Sequence, residues 1–193
     1  MAHDVLVSPI HRIQGIECEE IGCHALAKVV PKLSANDARI VLLQLEKVDA
    51  GRVKWAEVLR SDRQYSWYQN AKSFAKYFNP FWLAIDWSRA RNGEEYGERK
   101  HKIITVRERL LAAELALRCY QSAQGRVPTR LADLVTDYLS TVPLDPFSGQ
   151  PLVYRPQGIN WLLYRLGEDG VDDGAAGPQG WPVKGDIRFD SPF

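Results

Sequence analysis

From Ile10 to about Ala90 the apolar positions recur at intervals of three and four residues, the spacing of helices that each cover a core with one face. Ser34 stands where a helix needs an N-cap, with Asp37 at the third position. Val41, Leu45 and Val48 then repeat along one face, which predicts an amphipathic helix. A second helix is expected from Val53 to about Asn70, and a third around Phe74 and Phe78 until Pro80 interrupts it. The short connections imply antiparallel packing. "RARNGEEYGERKHK", Arg89 to Lys102, is dense in charge and reads as an exposed linker. Beyond it Leu110, Ala113, Leu117 and Tyr120 form the stripe of a helix from Val106 to Gln124, closed by Gly125.

After Gly125 the period changes. Pro128 and Thr129 set a short helix, about Arg130 to Tyr138, with Leu131, Leu134 and Val135 turned inward. "PLDPFSG" is built of turn formers. "PLVYR" and "NWLLYRL" then read as strands joined across Gln157 and Gly158, and "DIRF" as a short third. The expected fold class is therefore α+β: a helical region over residues 1–100, then a helix plus small antiparallel sheet over residues 101–193, with strands only after about Gly149. An acidic loop joins the last two strands.

Composition limits what these elements do. At 193 residues the chain holds one domain, or one domain with a helical extension. A net charge of +1 asks for neither nucleic acid nor an anionic membrane. The apolar runs "IVLLQL" and "FWLAI" fall short of the roughly 20 residues of a membrane span, and no signal-peptide pattern opens the sequence, so a soluble chain without a span is expected. Nine aromatics lie between Tyr65 and Trp87, interleaved with Lys72, Lys76, Arg89 and Arg91. Asp86, Glu94, Glu95 and Glu98 answer those cations, so a nucleic-acid surface is disfavoured. Docking against a protein partner, or against a missing part of a larger protein, fits better. Cys18 and Cys23, five residues apart, sit about 140° apart on a helix, a poor arrangement for one ion despite His24 beside the second.

The acidic loop is where chemistry concentrates. "LGEDGVDDG" places Asp169, Asp172 and Asp173 among glycines, and Asp186 follows after "WPVKG". Crowded carboxylates repel, so a folded chain keeps them either solvated or around a cation. Five glycines from Gly170 to Gly185 free the backbone to turn carbonyls inward, which suits the irregular oxygen shell of calcium. The spacing is not that of an EF-hand. No nucleophile elbow, phosphate loop, dinucleotide fingerprint or zinc-protease helix is present, and the four histidines lie outside the loop, so no catalytic residue is assigned and an enzyme is not expected.

The ordered set "LALRCYQSAQGRVPTRLADLV", "PLDPFSGQPLVYR", "LLYRLGEDGVDDG" and "GDIRF", within Leu110 to Phe189, resembles the C-terminal domain of the major pseudopilin of type II secretion systems. In that family a helix, a proline-started segment and an aspartate-proline turn lead into a small sheet whose loop binds calcium. The resemblance implies calcium held by the side chains of Asp169 and Asp186 and the carbonyls of Leu166 and Val171, with Asp172 or Asp173 adding a ligand. A pseudopilin also needs a prepilin-peptidase site followed by a hydrophobic helix. Neither stands in this sequence, so filament assembly does not carry over: the module has been reused, or a membrane segment lies outside the chain given. Two functions follow. One is a non-enzymatic, calcium-stabilised structural or interaction module of a bacterial envelope or secretion-related assembly. The other is a ligand- or peptide-binding module using the aromatic helical region, with the acidic loop a surface turn. Millimolar calcium favours an extracytoplasmic place in the cell envelope, whereas unpaired thiols lean to the cytoplasm.

Overall fold

The computed structural model describes residues 9–60, 80–167, 169–177 and 185–191, with side chains from residue 15 in the first stretch and from residue 94 in the second. Helix α1 spans Pro9–Val29, and a short 3-10 turn at Val30–Lys32 leads to α2, Ala35–Ala50. Ser34 caps α2 as expected: its Oγ accepts from the Asp37 N–H at 3.2 Å and donates to the Asp37 carboxylate at 2.7 Å. The face that α2 buries is rotated from the expected one. Ala38 and Leu42 are buried and Leu45 and Asp49 half-buried, while Val48 is 47% exposed. Polar contacts settle the rotation, because Asp49 pairs with Arg109 at 3.0 Å and Glu46 accepts from Ser140 N–H at 3.1 Å.

Two compact units share the chain: Met1–Glu19 with Arg52–Ile103, and Glu20–Gly51 with Ile104–Phe193. In the first, residues 55–60 are helical; the rest of the helix expected to Asn70 and the one around Phe74 and Phe78 lie outside the described residues. Helix α3 is described from Pro80 onward, Pro80–Gln124.

The charged stretch Arg89 to Lys102 is accordingly helix, not linker. Its charges sit at helical spacing, as in the Glu98–Lys102 pair at 2.7 Å, and among its described side chains the buried positions are Gly97 and His101, four apart. Trp55, 7% exposed, lies against both: its ring centroid is 5.8 Å from that of His101, and a Cβ on Gly97 would come within 2.4 Å of Trp55 Cζ2. Helix propensity alone makes Gly→Ala worth about 1 kcal/mol in favour of alanine. The clash reverses the sign. Gly97→Ala is expected to destabilise by about 1 to 3 kcal/mol, the usual cost of overpacking, read as a lower urea midpoint at unchanged slope. A variant more stable than the parent would show that the indole does not rest there.

In the second unit α3 carries Ile104, Val106, Leu110, Leu111, Ala113, Leu115, Ala116 and Leu117, each at most 1% exposed. A helix apolar on several sides is buried on several sides, and this segment is the spine of the unit. Gly125, at φ +67°, ends it as predicted, its N–H on the Gln121 carbonyl at 2.8 Å. The helix expected from Arg130 to Tyr138 shrinks to one 3-10 turn, Leu131–Leu134, opened by the Asp133 carboxylate accepting the Thr129 and Arg130 N–H groups at 3.1 Å each. Thr136 at φ +82° cannot continue a helix. Leu131 and Leu134 are buried as expected.

Strands β1, Val153–Gln157, and β2, Asn160–Tyr164, form a two-stranded antiparallel sheet in the register Val153↔Tyr164 to Gln157↔Asn160. The connection is Gly158 and Ile159, one residue later than expected, with Gly158 supplying the positive φ (+64°) of a tight hairpin. The third strand is reduced to one bridge, in which Arg165 and Ile187 exchange two N–H···O bonds of 2.9 Å. Its continuation turns away at once, since the Arg188 N–H bonds to Ser191 Oγ at 3.0 Å. The "DPFSG" turn supports this bridge from below. Buried Asp145 accepts from Phe147 N–H at 3.0 Å and pairs with buried Arg165 at 3.6 Å, whose guanidinium lies 4.3 Å from the Phe147 ring centroid. The chain is thus α+β, with the acidic loop hung between β2 and the Arg165–Ile187 bridge. Among the described residues no helix is long and apolar enough to cross a membrane.

Candidate metal centre

The loop begins at Leu166, half-buried just after the bridge residue Arg165. At Gly167 the backbone passes so close to the returning strand that a Cβ would meet the Gly185 carbonyl at 2.7 Å and Asp169 Oδ1 at 2.9 Å. Gly185, at φ +86°, is equally confined: a Cβ there would lie 2.6 Å from the Gly177 carbonyl and 3.0 Å from that of Ala176. Only glycine fits these two positions. The two ends of the loop therefore pass close to each other at Gly167 and Gly185, with the Asp169 carboxylate beside Gly167 and Asp186 next in sequence to Gly185.

Asp186 has no exposed surface. Its Oδ2 accepts the Ala175 N–H at 2.8 Å, while its Oδ1 is sealed from water and has no hydrogen-bond partner among the described residues. Burial pushes the carboxyl up from the usual carboxylate range; the Ala175 and Asp173 N–H groups oppose this, and the charges of Asp172 and Asp173 add to it. A buried, half-satisfied carboxylate is costly, and a cation answers it directly. Ala175 itself sits at φ +68°, a conformation that costs a non-glycine residue on the order of 1 to 3 kcal/mol. The strained turn is what aims its N–H at Asp186.

The other expected ligands are placed differently. Asp169 is exposed, and its Oδ1 accepts from the Val171 N–H at 3.2 Å, a local turn that holds the carboxylate toward Gly167. Val171, whose carbonyl is the expected partner, carries its side chain on the outer crest at 52% exposed. Asp173 is exposed and meets Asp186 through its backbone N–H. Asp172 faces the sheet: Tyr164 Oη donates to its Oδ1 at 2.7 Å, the Gly174 N–H at 3.1 Å, and Arg155 Nη2 to its Oδ2. These bonds hold the Asp172 carboxyl below the usual range. Burial, then the bond to Asp172, pushes the Tyr164 phenol up to about 12.

Among the described residues no three His, Cys, Asp or Glu side chains gather as a metal-binding group. A site of two carboxylates completed by carbonyls, the set expected from sequence, uses fewer. Calcium takes six to eight oxygens at about 2.3 to 2.6 Å, with carbonyls and water among them, and the buried Oδ1 of Asp186, unpartnered among the described residues, is an oxygen of the kind it takes.

Sequence reasoning missed Tyr164, Arg155 and Ala175, whose roles depend on contacts made across the hairpin and the loop. Of the cysteines, Cys18 is exposed and Cys23 buried, on different faces of α1 as the 140° separation requires. The aromatic segment from Tyr65 to Trp87, on which ligand or peptide binding rested, lies outside the described side chains. A cleft of about 460 Å³ lies elsewhere in the second unit, between α2, α3 and residues 139–144. Its polar rim is engaged internally, through Asp49 with Arg109, Arg109 with the Leu144 carbonyl at 2.8 Å, and Glu46 with Ser140. No family model, no curated protein and no solved structure matches this chain.

Proposed function

We propose that the protein is a calcium-stabilised structural and interaction module of a bacterial envelope or secretion-related assembly, without catalytic activity of its own. The observation that carries this reading is the Asp186 carboxylate: fully buried, with one oxygen unpartnered among the described residues, and next to Gly185, whose backbone packs closely on Ala176 and Gly177. When bound, calcium supplies the positive charge that balances Asp186 and Asp169 and draws the two ends of the loop together. The chain's own contribution is a shaped cage: Gly167 and Gly185 allow close approach, and Ala175 and Asp173 orient Asp186 through their N–H groups. An extracytoplasmic location provides the millimolar calcium that a loop of this kind uses. The resemblance to the pseudopilin C-terminal domain supports the same placement, with the helical region docking to a partner protein.

Calorimetric titration of chelator-treated protein with calcium tests it, alongside thermal melts. An ion that binds only the folded state stabilises it by RT ln(1 + [L]/Kd), about 2.7 kcal/mol at a hundredfold excess. Calcium is expected to raise the melting temperature and chelator to lower it. Magnesium, which demands a tight octahedron and keeps its water, is expected to act poorly. Absence of both heat and shift with calcium would leave the loop a solvated turn.

A further inference from the structure

Among the candidate ligands, Asp172 is the one whose oxygens are already spoken for. Its Oδ1 receives Tyr164 Oη at 2.7 Å and the Gly174 N–H at 3.1 Å, and its Oδ2 receives Arg155. A carboxylate offers about four acceptor sites, and three of them are used, two by side chains of the hairpin. Tyr164 ends β2 and pairs with Val153, so Arg155 on β1 is its diagonal neighbour on the same face of the sheet. The Arg155 guanidinium stands 5.8 Å from the Tyr164 ring centroid. Tyr164 is fully buried and cannot follow a moving loop.

We propose that Asp172 is a positioning residue, the centre of a Tyr164–Asp172–Arg155 latch that ties the acidic loop to both strands and sets its calcium affinity without touching the ion. The proposal rests on the calcium reading above. The latch acts through the backbone. Gly174, whose N–H is held by Asp172, is followed by Ala175, whose N–H is held by Asp186. Tyr164 is thereby connected through Asp172, Gly174 and Ala175 to the buried carboxylate at the centre of the site. Releasing Asp172 frees the Gly174 end of the strained Gly174–Ala175 turn and loosens the Ala175 N–H that orients Asp186. Groups that orient metal ligands in this way are typically worth 10- to 100-fold in metal affinity.

Calcium titration of wild type, Tyr164→Phe, Asp172→Asn and Arg155→Gln tests this, with terbium as a luminescent stand-in whose lifetimes in H2O and D2O count coordinated waters. Tyr164→Phe removes one hydroxyl and keeps the ring, and is expected to weaken calcium about 10- to 100-fold with the water count unchanged. Arg155→Gln is expected to weaken it less, because that pair is half-exposed and screened by solvent. Asp172→Asn is expected to bind weakly and again with the same water count. An additional coordinated water in Asp172→Asn would make Asp172 a ligand and overturn the latch; this holds even if Tyr164→Phe fails to fold. Unchanged calcium affinity in a folded Tyr164→Phe would also overturn it. A wild-type protein that binds neither ion would overturn the calcium reading itself, and the latch with it. The two failures are therefore separate.

Discussion

Asp186→Asn is expected to abolish the calcium-dependent rise in melting temperature while leaving the metal-free protein at least as stable as the parent. The amide keeps the size of the carboxyl and an oxygen for the Ala175 N–H, but places an NH2 group where the unpartnered Oδ1 stands. A cation meets a donor there instead of an anion. The loss at a hundredfold excess of calcium over the parent Kd is the whole linkage term, about 2.7 kcal/mol. In chelator the sign differs, since burial disfavours the charged carboxyl and the neutral amide removes that cost. A purely structural aspartate would leave the calcium-dependent rise in place. Asp173→Ala is the companion, because Asp173 is exposed and reaches Asp186 through its backbone N–H, which the substitution keeps. Melts of the three proteins with and without calcium decide the matter. A calcium shift that survives in Asp186→Asn would place the ion elsewhere.

The elements that were legible in the sequence are those fixed by neighbours in the chain. Ser34 and Asp37 make a cap across three residues, Gly125 ends a helix at its own φ, and the β1–β2 alternation locates a hairpin to within one residue at its turn. The charged stretch from Arg89 to Lys102 was misread because the buried positions among its described side chains are Gly97 and His101, which carry no apolar signal. Only the packing of Trp55 on that glycine explains why a helix buries it. The helix expected after Arg130 was lost to the left-handed Thr136, a residue type that gives no warning of such a conformation. At the candidate site, the acidic and glycine content marked the loop, and the resemblance to the pseudopilin domain implied Asp169 and Asp186. The division of labour among the aspartates was hidden, because it depends on Tyr164 and Arg155, eight and seventeen residues from Asp172. Composition marks where charge collects; the opposing donors decide which charges are left for an ion.

Leu117→Ala is expected to be among the most damaging single truncations, since it strikes the segment of α3 against which the second unit is built. Leu117 is 0% exposed, on the stripe of Leu110 and Ala113, and Leu111 and Leu115 on the adjoining faces are also fully buried. A side chain enclosed on several sides leaves a cavity that neighbours fill only in part, so the cost combines lost transfer energy with lost contacts, about 2 to 5 kcal/mol. Alanine is the better helix former, so local propensity works slightly against this loss and cannot be its source. For a chain of this size each kcal/mol lowers the melting temperature by about 2 to 4 °C, which gives a drop of roughly 4 to 20 °C. Leu43→Ala removes the same atoms from α2 at a site 56% exposed and is expected to stay within about 0.5 kcal/mol. The contrast isolates burial from chemistry. Urea unfolding of both variants in chelator keeps calcium out of the comparison. A loss below about 0.5 kcal/mol for Leu117→Ala, on the scale of a surface substitution, would mean that this face of α3 is not the spine of the unit.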